Sequence, residues 1–140
     1  MADKITFELV SPERLLLSKP VDMVVVPGSE GLFGALAGHA PLIALLKPGV
    51  IDVHDGGQII NRIFVGGGFA EVVPERCVVL AETALPVEEI DRARVQQRID
   101  ELRAGEGATQ SPVPLPDDSG LVSELALNLA MLAALDTKPV

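Results

Sequence analysis

The chain has 140 residues, 48% of them apolar and 22% charged, with a net charge of −9 and a pI near 4.6. That size and apolar content suit one globular domain, or a small domain carrying an appendage. The acidic balance argues against nucleic acid and anionic lipid headgroups as partners, since both would be repelled, and any charged partner is expected to be basic.

Four Phe with no Tyr or Trp leave few platforms on which bases or sugars could stack. No apolar run approaches the roughly 18 residues of a membrane span. Met1-Ala2-Asp3-Lys4 leads straight into alternating residues rather than a signal-peptide apolar stretch. A soluble, cytoplasmic protein is therefore expected. Cys77 is the only cysteine, which rules out an intrachain disulfide, and its apolar neighbours in Arg76-Cys77-Val78-Val79-Leu80 point to a buried, inert thiol.

Up to about residue 85 the pattern is β. In Ile5-Thr6-Phe7-Glu8-Leu9-Val10, Ile5, Phe7 and Leu9 share one face and Thr6 and Glu8 the other, as in a half-buried strand. Further strands are predicted at 15–17, 21–26, 32–36, 42–46, 50–53, 59–65, 69–73 and 77–81, about nine or ten in all. Pro27-Gly28, Lys47-Pro48-Gly49, Asp55-Gly56-Gly57 and Pro74-Glu75-Arg76 supply turn chemistry between them, with Asp55-Gly56-Gly57 reading as a hairpin. Many short strands with no intervening helices leave a sandwich or a barrel.

After Pro86 the period becomes helical. Acids Glu88, Glu89 and Asp91 near one end, Arg98 and Arg103 toward the other and Gly105 as a stop predict a helix over 87–103. Surface pairs Glu88–Arg92 and Asp100–Arg103 would support it, and Val95, Ile99 and Leu102 form a stripe that needs a partner. Glycines and prolines mark 104–120 as a linker, and a second helix is predicted over 121–135 with Leu121, Leu125, Leu129 and Leu132 in one apolar row. The expected organisation is a β domain over 1–84 and a helical hairpin over 85–140.

No motif calls for catalysis, a metal or a cofactor. Gly28-x-x-Gly31-x-x-Gly34 lacks the start of a dinucleotide loop, and Gly66-Gly67-Gly68 is followed by Phe69 rather than Lys and a hydroxyl residue. Asp22, Ser29 and His39 could be drawn as a hydrolase trio, but no G-x-S-x-G elbow is present. His54 lies beside Asp55 in the predicted hairpin, without further metal ligands nearby in sequence.

Several strings carry more information together. Val10-Ser11-Pro12-Glu13, Gly28-Ser29-Glu30-Gly31 with Gly34, Gly38-His39-Ala40-Pro41-Leu42, Lys47-Pro48-Gly49, Val65-Gly66-Gly67-Gly68-Phe69-Ala70-Glu71-Val72 and Leu80-Ala81-Glu82-Thr83-Ala84 resemble, in order and spacing over residues 5–84, the epsilon subunits of bacterial F-type ATP synthases. The resemblance implies a flattened antiparallel β-sandwich followed by a C-terminal α-helical hairpin. It also implies a non-catalytic rotor subunit that binds the gamma subunit and the ring of c subunits, peripheral on the cytoplasmic face of the plasma membrane. By the same resemblance the ring-facing residues are Ser29, Glu30, Gly31, Leu32, His39, Ala40, Pro41 and Leu42, with Glu30 as the anionic contact and Leu32 standing where relatives often carry an acid. The alternative for each is a plain turn role.

Some members of that family bind ATP through a string that Ile90, Asp91, Arg92, Ala93 and Arg94 match in part, with Val95 departing from it. The second helix has no Arg or Lys to close such a site, so Ile90, Asp91 and Arg94 are weak ATP candidates. Others inhibit ATP hydrolysis by extending the hairpin toward the alpha and beta subunits. Ten acids against five bases over 87–140, a net of −5, weigh against that docking here. A regulatory subunit is the nearest alternative, and a stand-alone β-sandwich interaction module is the alternative of another class.

Overall fold

The computed structural model describes residues 4–109 and 124–136. Alternation sets the first strand as expected: β1 (Ile5–Val10) buries Ile5, Phe7 and Leu9. It is followed by β2 (Leu15–Val21), β3 (Met23–Gly28), β4 (Gly31–Leu36), β5 (Leu42–Asp55), β6 (Gln58–Val73), β7 (Arg76–Leu80) and β8 (Ala84–Pro86). The strands are ordered β2-β1-β7-β6-β5-β3-β4, with β8 on β6, and all neighbours are antiparallel except β1 and β7.

The described strands number eight, because two pairs of expected strands are continuous and β8 was not expected. Lys47-Pro48-Gly49 does not turn the chain. It lies inside β5, where Pro48 faces Gly66 and Gly49 faces Val65 across the ladder with β6. Core alternation changes parity at this point. Leu46 and then Ile51 and Val53 face the main core from β5, as do Ile63 and Val65 and then Ala70 and Val72 from β6. Both strands thus pass a corner and serve both layers of the sandwich, at Lys47-Pro48-Gly49 in one and Gly66-Gly67-Gly68 in the other. Gly67 and Gly68 have φ of 108° and 124°, and a side chain on Gly68 would strike the Leu80 carbonyl, so the glycines serve a tight backbone passage.

Other boundaries also shift. Pro27-Gly28 belongs to β3, and the turn falls on Ser29-Glu30. The second and third strands break at Asp22, whose N–H donates to the His54 carbonyl at 2.9 Å and whose carboxylate accepts the Gly56 N–H at 2.8 Å. Pro20 is tolerated in β2 because this edge strand pairs only with β1. The Asp55-Gly56-Gly57 hairpin forms as expected, with Asp55 opposite Gln58 and positive φ at both glycines. Sheet pairing continues to Pro86, opposite Ile63.

The first helix, α1 (Arg92–Thr109), starts later than the expected 87. Val87–Glu89 is a single 3-10 turn, and Asp91 then caps α1, its Oδ1 accepting the N–H groups of Ala93 at 3.0 Å and Arg94 at 3.2 Å. Gly105 does not end α1, which runs on through the first part of the expected linker. The remainder of that linker lies outside the described residues. The second helix, α2 (Glu124–Asp136), is described from Glu124, so Leu121 falls outside as well. The two helices are antiparallel, with Arg92 reaching Asp136 and Arg98 reaching Glu124. Arg92 therefore pairs across the hairpin rather than with Glu88, and Asp100 accepts from Gln96 at 3.2 Å.

A main core inside the sandwich contains Ile5, Phe7, Val24, Val26, Ile51, Val53, Val65, Val72, Cys77 and Val79. A second cluster joins the hairpin to the outer face of the sheet through Val50, Phe64, Ile90, Val95, Ile99 and Ala134. Val95 and Ile99 bury as their stripe predicts, and Leu102 is half-buried. The row on α2 is different: Leu129 is 37% exposed, while Asn128 and Ala134 are buried, because α2 touches both α1 and the sheet and rotates its burial toward the two contacts.

Candidate functional site

The Ser29-Glu30 turn closes the β3–β4 hairpin, and the Ser29 N–H donates to the Leu45 carbonyl at 2.9 Å, tying the turn to β5. Ser29, Glu30, Gly31 and Leu32 are all exposed, Leu32 by 54%. The second group lies where β4 leads into β5. The Gly38 N–H donates to the Pro74 carbonyl at 2.8 Å and the His39 N–H to the Leu36 carbonyl at 3.0 Å. His39 Nδ1 lies 2.6 Å from the Ala40 carbonyl, a hydrogen bond made within the turn. Ala40, Pro41 and Leu42 are exposed. The structure thus places all eight residues at the surface and arranges them as two turns flanking the first half of β5, with Leu45 at one turn and Leu42 at the other.

Between those turns lies a feature the sequence reading missed. Ile43 and Leu45 are 70% and 68% exposed, and Phe69, opposite Leu45, is 41% exposed. Pairing puts Ile43 and Glu71, Leu45 and Phe69, and Phe69 and Leu80 on one outward face. Leu42-Ile43-Ala44-Leu45-Leu46 carries no polar residue on either alternation, and that two-faced apolar pattern was the available signal for a strand covered on both sides.

The ATP candidates take other positions. Ile90 is buried in the junction cluster, Asp91 is engaged as the helix cap, and Arg94 lines a shallow groove of about 390 Å³ with Arg98, Glu101 and Asn128. The hydrogen bonds that Arg98 donates to Glu124, and then to Glu101, hold its guanidinium firmly charged. Among the described residues, no group of three or more His, Cys, Asp or Glu could hold a metal ion, and no helix is long and apolar enough to cross a membrane. Asp22, Ser29 and His39 each bond to backbone in separate turns. Cys77 is fully buried, and loss of hydration pushes its thiol up to about 12.

The described residues form an eight-stranded sandwich with a docked helical pair and an outward apolar face bounded by two turns. Residues 4–87 match the family described as ATP synthase, Delta/Epsilon chain, beta-sandwich domain, and the chain belongs to that family. An ATP synthase epsilon chain of Paramagnetospirillum magneticum is 61% identical over 98 residues, 70% of this chain and 74% of its own length. One from Rhodospirillum centenum is 56% identical over 108 residues, 74% of each chain. A chain in the cryo-EM structure of the Euglena gracilis mitochondrial ATP synthase, OSCP/F1/c-ring, shares 27% identity at a TM-score of 0.73, covering 97% of this chain and 81% of that one. A chain of the Tetrahymena thermophila central stalk/c-ring structure matches in fold, at 15% identity and a TM-score of 0.55 over 96% of each chain.

Proposed function

We infer that this chain is a non-catalytic rotor subunit of an F-type ATP synthase, which couples rotation of the c-ring to ATP synthesis by binding the gamma subunit and the ring. The observation that carries this reading is the outward apolar face of Ile43, Leu45 and Phe69, left open on a sandwich whose own core is closed. A contiguous apolar face of this kind is the mark of a protein partner. The gamma subunit is the partner assigned to it, as the resemblance to epsilon subunits implies, and the Euglena relative comes from an ATP synthase assembly of OSCP, F1 and c-ring. The two turns beside this face, with Glu30 as the anionic group and Leu32 adding apolar contact, are assigned to the polar loops of the ring. The subunit is then peripheral, held at the cytoplasmic face of the membrane through the ring rather than by lipid.

The chemistry suits coupling. Transmission of torque needs a body that deforms little, and a close-packed sandwich supplies one. Ile43→Glu with Leu45→Glu, at positions 70% and 68% exposed, should abolish capture by a gamma subunit while the far-ultraviolet spectrum stays β-type. Undiminished capture would remove the interface. In membrane vesicles, Glu30→Lys with His39→Ala should lower proton pumping and leave ATP hydrolysis intact; unchanged pumping would reduce these residues to turns.

A further inference from the structure

β6 carries one extra residue where it leaves the Asp55-Gly56-Gly57 hairpin. His54 pairs with Ile59 and Val53 with Asn61, which leaves Ile60 as a bulge. Past the bulge, alternation sends Asn61 to the core side, opposite the fully buried Val53, and Arg62 to the other side, opposite Asp52. Both residues nevertheless line one cavity of about 670 Å³, within the usual range for a ligand pocket. A cavity that meets residues from both faces of a strand follows the strand's edge. β8 covers that edge only as far as Pro86, opposite Ile63.

The walls are mostly apolar: Leu9 and Leu17 come from β1 and β2, and Ile63 and Leu85 from β6 and β8. Among the described residues, Asn61 Oδ1 and Arg62 Nη2 are buried without a hydrogen-bond partner. Arg62 gives Nε to Asp52 at 2.8 Å and is neutralised by it, so its remaining N–H groups need an acceptor but not a charge. A carboxylate in the cavity would lie near Glu88 and Glu89, which line it, and near the Asp52 already paired with Arg62, against only Arg62 and Arg14 as bases. An amide satisfies both orphaned atoms and brings no charge, since a peptide group offers an N–H and a C=O together. The mouth is apolar as well. Leu16 and Ile60 line it and are 38% and 39% exposed, surface that an occupant larger than the cavity would cover.

We propose that this cleft binds an extended, uncharged segment of a protein partner, its backbone along the β6 edge against Asn61 and Arg62 and one apolar side chain between Leu9, Leu17, Ile63 and Leu85. None of these residues belongs to the Ile43, Leu45 and Phe69 face or to the two turns, so the inference stands or falls apart from the rotor reading. The full chain, titrated with N-acetyl-leucine methylamide and followed by NMR, tests it. Saturable shifts are expected at the methyls of Leu9, Leu17 and Ile63 and at the Asn61 side-chain amide, with a Kd on the order of millimolar for so small a probe. Isocaproate, which keeps the leucine side chain and carries a carboxylate in place of the amides, should bind about tenfold more weakly or not at all. A capped Ala-Leu-Ala peptide should bind about tenfold more tightly than the single residue, because it continues along the strand edge. Asn61→Leu, which removes the orphaned acceptor and leaves the Asp52–Arg62 pair in place, should weaken both amide probes about tenfold. Isocaproate binding as well as the amide, a tripeptide no tighter than the single residue, amide binding indifferent to Asn61→Leu, or no saturable shift with any probe would each overturn the proposal. The probe comparisons need wild type alone, so they decide the matter even where Asn61→Leu fails to fold.

Discussion

The sandwich and the hairpin are stabilised in different ways. The sandwich has a core drawn from strands far apart in sequence, in which Ile5, Phe7, Val24, Val53, Val72 and Cys77 are all fully buried. The hairpin buries Val95, Ile99, Asn128 and Ala134, leans on Val50 and Phe64 of the sheet, and closes its outer side with exposed ion pairs. The family match, over residues 4–87, covers the first region and stops short of α1. A body with its own core can be rigid wherever it is placed, whereas a pair of helices whose core is borrowed from a neighbour is stable only while docked.

The largest expected effect separates the two cores. Phe7→Ala should cost about 3–5 kcal/mol in chemical denaturation, the usual toll of a fully buried aromatic removed. Ile99→Ala should leave the sandwich transition within about 1 kcal/mol and act on the helices alone. An Ile99→Ala effect on the main transition as large as that of Phe7→Ala would show one cooperative unit. Next comes a pair on the β5–β6 ladder: Arg62 Nε donates to Asp52 Oδ1 at 2.8 Å, and the Asp52 side chain is only 5% exposed. Arg62→Met would leave that carboxylate buried and unpaired, at a cost of about 3 kcal/mol in the same experiment. Asp52→Asn together with Arg62→Met should recover part of it.

A smaller effect is expected from removing the hairpin. Residues 1–87 should fold alone with a cooperative β-type transition, read through Cys77, whose raised thiol should resist alkylation near pH 8 until the sandwich unfolds. Rapid labelling of the truncated chain in native buffer would show that the sandwich depends on the helices. The smallest effect is one of pH. The hydrogen bond from Arg98 holds the Glu124 carboxyl below its ordinary value of 4.5. Because the folded value is depressed, its contribution is present above pH 4.5 and is lost as the pH falls through the folded value. Protection factors in α2, taken against the intrinsic rate at each pH, should therefore fall in acid below pH 4.5 in wild type, and Glu124→Gln should flatten that acid limb. An acid limb identical in Glu124→Gln would assign it to other carboxylates.

Most of the strand positions were legible because alternation is a local signal: Ile5, Phe7 and Leu9 could be assigned to a core without knowledge of what they meet. The corners were not legible, since Lys-Pro-Gly and Gly-Gly-Gly mark a sharp change of direction equally well whether the chain reverses or merely bends between layers. Asp91 was legible as an acid near a helix start, but its role as the cap depended on Pro86 still belonging to the sheet. At the candidate site the turns were readable from their glycines. The Ile43, Leu45 and Phe69 face was not, because outward and inward apolar residues look alike until pairing assigns their sides.

The bent strands also determine how the molecule carries a load. In a sandwich made of two separate sheets, a twist applied to one layer reaches the other through side-chain contacts and short connections, which can slide. Here two unbroken backbones, β5 of 14 residues and β6 of 16, run through both layers and are hydrogen-bonded to each other on both sides of the corner. A shearing force between the layers is taken up as tension along covalent chain, much as a folded plate resists twisting better than two plates pressed together.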